Sequence, residues 1–120
     1  MLVVYWTAAG LLALFYLYAG GMKLSRTREQ LQPMMAWVDT TPMPVVRALG
    51  VIEVLGAAGL VLPPATDIAP WLAFAAAIGF MLLQAGAIRV HLSRGDRRIG
   101  LNLALLLMAG AAVWSATTWL

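Results

Sequence analysis

Four runs of apolar residues, each close to the roughly 20 residues a helix needs to cross the hydrocarbon core of a bilayer, constrain this chain more than any other feature. They fall at about 3–22, 45–62, 70–90 and 99–119. A backbone surrounded by lipid must satisfy its own hydrogen bonds, so runs of this length read as helices. Of the 120 residues, 62% are hydrophobic and 11% charged, whereas a soluble domain is about half apolar and about a quarter charged. A soluble domain this small could not hide so much apolar surface in one core, but lipid removes the need. The expectation is one all-α integral membrane domain over residues 1–120, a four-helix bundle running up-down-up-down. Only Met1 and Leu2 precede the first run, whereas a secretory signal carries a basic n-region, so that run is expected to be retained rather than cleaved.

Charge sets the expected orientation. Alternating crossings put the connections 23–44 and 91–98 on one side of the membrane. All eight Lys and Arg residues, Lys23, Arg26, Arg28, Arg47, Arg89, Arg94, Arg97 and Arg98, lie in or beside those two. The positive-inside rule makes that side cytoplasmic and places both termini outside. Trp6, Trp71, Trp114 and Trp119 fall near helix ends on the opposite side, where an aromatic belt belongs.

The residue types present exclude several chemistries. With no cysteine, the chain has no disulfide exchange, thiolate catalysis, thioether-attached haem or cysteine-ligated iron-sulfur cluster of its own. One histidine, His91, and five scattered acids match no zinc or di-iron spacing, so no metal site is expected. A net charge of +3 is compatible with nucleic-acid binding, but the basic residues sit next to spans, where topology or anionic lipid accounts for them. No nucleotide loop or catalytic triad appears, and the sequence names no cofactor.

One residue inside the apolar runs demands explanation. RALGVIEVLGAAGLVLPP, Arg47 to Pro64, carries a carboxylate at Glu53, and a charge at bilayer depth costs at least about 2.5–3.5 kcal/mol on insertion scales. Glu53 shares a helix face with Gly50, Gly56 and Ala57, the small side that contacts other helices. It lies roughly 12–15 Å from the basic ends of the helices. Tyr16 and Gln84 lie somewhat shallower, Asn102 and Arg47 shallower still, and Lys23, Arg89 and His91 at the rim. Together these describe a polar funnel narrowing toward one acid, in which a polar head enters from the cytoplasmic side while an apolar tail stays among the helices. Glu53 is a hydrogen-bond or proton donor if neutral, and a counter-ion or base if ionised. The outcome depends on whether Lys23 or Arg89 reaches it. The rival reading is structural: a carboxylate hydrogen-bonded across helices to Tyr16, Gln84 or backbone, with Lys23 snorkelling, His91 at the rim and Asn102 joining two helices.

Smaller signals complete the outline. Pro63-Pro64 is expected to stop the second helix. Ala75 and Gly79 form a small-xxx-small pair suited to packing. The polar interval 24–44 holds a short helix beginning near Ser25 and interrupted by Pro33. Met34, Met35, Trp37 and Val38 then lie on the headgroup surface, with a lid over the inner mouth as the alternative.

AGGMKL (Ala19 to Leu24), RALGVIEVLGAAGLVLP (Arg47 to Pro63), GAIRVHLSRGD (Gly86 to Asp96) and the Asn102 that opens the fourth span resemble the DoxX-like family of small four-helix bacterial membrane proteins. The resemblance implies a multi-pass protein of the bacterial inner membrane. It also implies an association with membrane oxidoreductases, since the family name derives from a thiosulfate:quinone oxidoreductase subunit, and with membrane chaperones. Three functions are therefore expected to compete. The first is a module binding a lipid, quinone or isoprenoid-like molecule near Glu53, as an accessory subunit of a redox system. The second is an enzyme with Glu53 as general acid or base. The third is a chaperone gripping a membrane protein partner. A homo-oligomer is left open.

Overall fold

The first three apolar runs form helices longer than expected, because flanking residues extend the hydrogen-bonded ladder beyond the hydrocarbon, whereas the fourth forms a shorter one, Gly100–Ala116. The computed structural model describes all 120 residues. The long helices are α1 (Leu2–Ser25), α3 (Met43–Thr66), α4 (Leu72–Ser93) and α5 (Gly100–Ala116), with α2 (Arg28–Leu31) a single turn between the first two. Short 3₁₀ segments cover Ala36–Thr40 and Thr117–Trp119. The four long segments are each long and apolar enough to cross a membrane. The chain is an all-helical integral membrane protein.

Consecutive long helices pack side by side, α1 on α3, α3 on α4 and α4 on α5, and α5 returns to α1 to close the ring. The core is built from small residues, among them Ala9, Ala57, Ala73, Ala77, Ala109 and Ala112, around Tyr5, Leu12, Tyr16, Leu60 and Phe80. Small side chains let helices approach without a hydrophobic drive, which lipid does not supply. Only 25 of 120 residues are buried. Leu14, Leu55, Leu82 and Leu107, one near the middle of each long helix, are 65–73% exposed, and these faces meet acyl chains rather than water.

The tightest seam is between α1 and α3. A Cβ built on Gly20 would stand 2.9 Å from the Gly50 carbonyl oxygen, and one on Gly50 would stand 2.9 Å from that of Gly20. The two backbones touch here because neither residue has a side chain. Farther along α3 the Phe80 ring lies over Gly56, with its Cζ 2.6 Å from where a Cβ would be. The pair expected to pack in α4 does not: Ala75 and Gly79 are exposed, and nothing approaches within 4 Å of a Cβ on Gly79. Small residues at i and i+4 mark a face of the helix but not which face meets protein.

The second helix also runs past its expected stop, to Thr66, with Pro63 and Pro64 inside it. Pro64 has no N–H to give the carbonyl four residues back, that of Leu60. The Tyr5 hydroxyl of α1 donates to that carbonyl at 2.5 Å, so the proline's missing donor is replaced from a neighbouring helix. Asp67, in the left-handed conformation at φ 57°, then ends the helix with its N–H on the Pro63 carbonyl. At this end Trp119 packs edge-on against Tyr5, ring centroids 4.6 Å apart, so the two termini emerge together.

Gly20→Ala or Gly50→Ala should destabilise the protein by about 1–3 kcal/mol, the range for overpacking a close contact, seen as a lower Tm in detergent. Gly79→Ala, whose methyl meets nothing, should leave Tm unchanged or raised. Equal Tm values for all three would show that the seam is not in backbone contact.

Candidate functional site: a buried ion pair on the floor of a cavity

The Gly20–Gly50 crossing positions the two charges. Lys23 lies one turn after Gly20 and Glu53 one turn after Gly50, and α1 and α3 run antiparallel. In any helix the Cα–Cβ bonds tilt toward the N-terminus, so the Lys23 side chain leans from the basic rim into the bundle while that of Glu53 leans toward the rim. They meet. Lys23 Nζ stands 2.9 Å from Glu53 Oε1, to which it donates, and 2.8 Å from Oε2. Lys23 is 7% exposed and Glu53 4%. Lys23 therefore does not snorkel, and the cation that reaches the acid is Lys23 rather than Arg89. Both carboxylate oxygens thus face the one ammonium group.

A relay of neutral groups faces the pair. Asn102 Nδ2 donates to Gln84 Oε1 at 3.0 Å, and Gln84 Nε2 donates to the Tyr16 hydroxyl at 2.5 Å. This joins α5, α4 and α1. Phe80 stacks on Tyr16, ring centroids 4.0 Å apart and planes 13° from parallel. Because Phe80 also rests on Gly56, the phenol is held one turn along from Glu53.

Between these groups and the basic end of the bundle lies a cavity of about 770 Å³, with 15 of its 25 lining residues hydrophobic. Glu53, Lys23, Tyr16, Gln84 and Asn102 line it, as do His91, Asp96 and Arg98 nearer the mouth. Arg89 is exposed and outside the lining. Arg47, expected within the funnel, also lies outside it. Its guanidinium donates to the Lys23 and Arg26 carbonyls at 2.5 and 2.6 Å, closing the last turn of α1. Free carbonyls and the negative helix terminus make that end a natural arginine site.

The connection between α1 and α3 covers the mouth: Pro33, Met34, Met35, Ala36 and Trp37 all line the cavity. It is thus a lid rather than a stretch lying only on the headgroup surface. Thr27, not Ser25, begins its short helix, through a capping box with Gln30. Leu31, Val38 and Val46 give the lid a small core of its own. Arginines fasten it. Arg28 donates to the Val38 carbonyl and, at 3.1 Å, to that of Thr41. Arg94, at the end of α4, donates to Asp39 at 3.1 Å and Thr40 at 3.0 Å. Hydrogen bonding from Arg94 holds the Asp39 carboxyl below the ordinary aspartate range. The Arg98 backbone N–H and then His91, 3.0 Å away, do the same for Asp96. Inside the cavity the lid reaches the ion pair, with Lys23 Nζ 5.9 Å from the Trp37 ring centroid.

Sequence reasoning did not pick out Phe80, Asp96 or Arg98. Arg98 and Asp96 carried a signal, since they flank the turn beside His91. Phe80 carried none, because its role depends on facing a glycine of another helix. Chemically, the arrangement offers a neutral ion pair, a phenol, two amides and long apolar walls.

The model of the DoxX-like family matches residues 7–114. No curated protein and no solved structure matches the chain.

Removing either partner of the pair leaves the other charged and buried, which costs about 3–5 kcal/mol in protein interiors. Glu53→Leu and Lys23→Met should each lower unfolding stability by that order. The double variant should lose markedly less than the sum, measured as a double-mutant cycle in detergent. Additive losses would show that the two charges do not depend on one another.

Proposed function

Because this integral membrane protein belongs to the DoxX-like family, we propose that it is a membrane-embedded binding module for a lipophilic small molecule, held with its polar head at Lys23 and Glu53. The observation that carries this reading is the position of the buried pair, on the floor of a largely apolar cavity whose volume falls in the range of small-molecule sites. A structural clamp would not need such a space beside it. Tyr16, Gln84 and Asn102 orient the head, His91 lies at the mouth, and Arg89 attracts anionic headgroups from outside the cavity. A membrane lipid, a quinone or an isoprenoid-like molecule fits walls of this kind, and the quinone connects the protein to a membrane redox system as an accessory subunit.

A second reading has one observation in its favour. Glu53 lines the cavity beside the place of the bound head, where a carboxylate acts as general base on such a molecule. In both readings the protein lies in a bacterial inner membrane with its arginine-rich end toward the cytoplasm, which is the orientation the positive-inside rule assigns.

Native mass spectrometry of the purified chain tests the binding reading. One lipophilic molecule per chain is expected. It should be lost in Gly86→Trp, which fills the cavity at a position where a Cβ meets nothing, with Tm held. Identical spectra for both proteins would overturn it, and turnover of the bound molecule that stops in Glu53→Gln would favour the enzyme.

The cysteine-free sequence makes orientation directly measurable. An impermeant maleimide should label Asp67→Cys in intact cells and Ser93→Cys only after permeabilisation. The reverse pattern would invert the proposed topology.

A further inference from the structure

The seam between α3 and α4 is closed at one end only. The Ala76 Cβ stands 3.2 Å from where a Cβ on Gly59 would be, and Phe80 fills the space over Gly56. Toward the basic rim the same stripe of α3 continues as Leu49 and Val45, seven and eleven residues before Gly56, and that of α4 as Leu83, Ala87 and Val90, seven, eleven and fourteen after Ala76. Such spacings stay on one helix face. All five residues line the cavity, so here the two stripes border open space rather than each other. Val45 is 47% and Val90 45% exposed, and Leu82, which also lines the cavity, is 69% exposed. A side chain that faces both a cavity and the outside stands at an opening. Ala19 and Leu105, which line the cavity from α1 and α5, are buried instead. From Val90 to Leu82 is about 12 Å of helix, so the opening runs from the rim toward the middle of a span, where the outside is lipid.

We infer that this gap is a side entrance, through which a long-chain lipophile passes from the surrounding leaflet into the cavity and in which its tail remains, projecting among the acyl chains outside. This rests on the binding reading and adds a route and a ligand class. The lips of the gap are side chains of Val, Leu and Ala, which offer a polar group no partner and suit a hydrocarbon chain. The water-facing mouth is covered by the lid, tied to α4 where Arg94 donates to Asp39 and Thr40. A molecule entering sideways keeps its tail in an apolar medium throughout, so the unfavourable exposure of that tail to water never arises. Because the tail leaves through the gap, the cavity of about 770 Å³ has to house only the head and the first part of the chain. The site therefore accepts tails longer than the cavity.

Photo-crosslinking of the full chain in phosphatidylcholine nanodiscs tests this, with octadecanol and octadecanoic acid as probes, each carrying a diazirine beside its head. At least one probe should label Glu53, which is buried and out of reach of a lipid that stays in the bilayer. Labelling should persist when the lid is locked before reconstitution, by a short bismaleimide joining Asp39→Cys to Arg94→Cys in the otherwise cysteine-free chain. It should be lost in the double variant Val45→Trp, Leu82→Trp, whose Tm should hold because both positions are exposed. Labelling that the locked lid abolishes, or that the two tryptophans leave intact, would overturn the side entrance. Adducts on lipid-facing residues alone, with a lipophilic molecule still bound in the native mass spectrum, would overturn the entrance and leave the binding reading standing. No Glu53 adduct and no bound molecule would overturn both.

Discussion

The bundle is organised around one ion pair placed where lipid offers it no help. An isolated charge at the centre of a bilayer is expensive, and the attraction between two charges compensates only when geometry and hydrogen bonds are good. Lys23 and Glu53 meet that condition because the backbones of α1 and α3 touch at Gly20 and Gly50. The glycines set how near the helices come, and the opposed tilt of the side chains on antiparallel helices makes the charges converge. Phe80 on Gly56 and Tyr16 on Phe80 carry the same close packing across to α4 and the amide relay.

The arginines serve different ends at one rim. Arg47 closes α1, Arg28 folds the lid on itself, and Arg94 ties the lid to α4. Lys23, the one lysine, is drawn inward instead. A flexible stem ending in a compact charge suits a single buried carboxylate, whereas a planar fork suits pairs of backbone carbonyls. The roof of the cavity is therefore held by exposed or half-buried contacts, while its floor is held by buried ones.

Length and apolarity were enough to read the four helices, because a lipid-facing span reports itself residue by residue. The helical face of Glu53 was also legible, since Gly50 and Ala57 at i−3 and i+4 mark the protein side. Its partner was not. Lys23 and Arg89 are equally close to the rim in sequence terms, and only the register of the α1–α3 crossing distinguishes them. Ala75 and Gly79 misled for the opposite reason: small residues occur on lipid-facing surfaces of α4 as well as in its contacts. Pro63-Pro64 reads locally as a stop, but the donor that lets the helix continue, Tyr5, is 59 positions away from Pro64 in the chain. The lid required the same kind of long-range knowledge, since Asp39 meets an arginine beyond the end of α4.

The Tyr5–Leu60 hydrogen bond closes the seam toward the end opposite the basic rim, so α1 and α3 are joined at two levels by contacts that involve neither α4 nor α5. The first 66 residues thus contain, within one hairpin, the partner for every buried charge they bring into the bilayer. Such a hairpin carries its buried charges already paired, avoiding the cost of an isolated charge in lipid, and leaves α4 and α5 no ionic partner to supply.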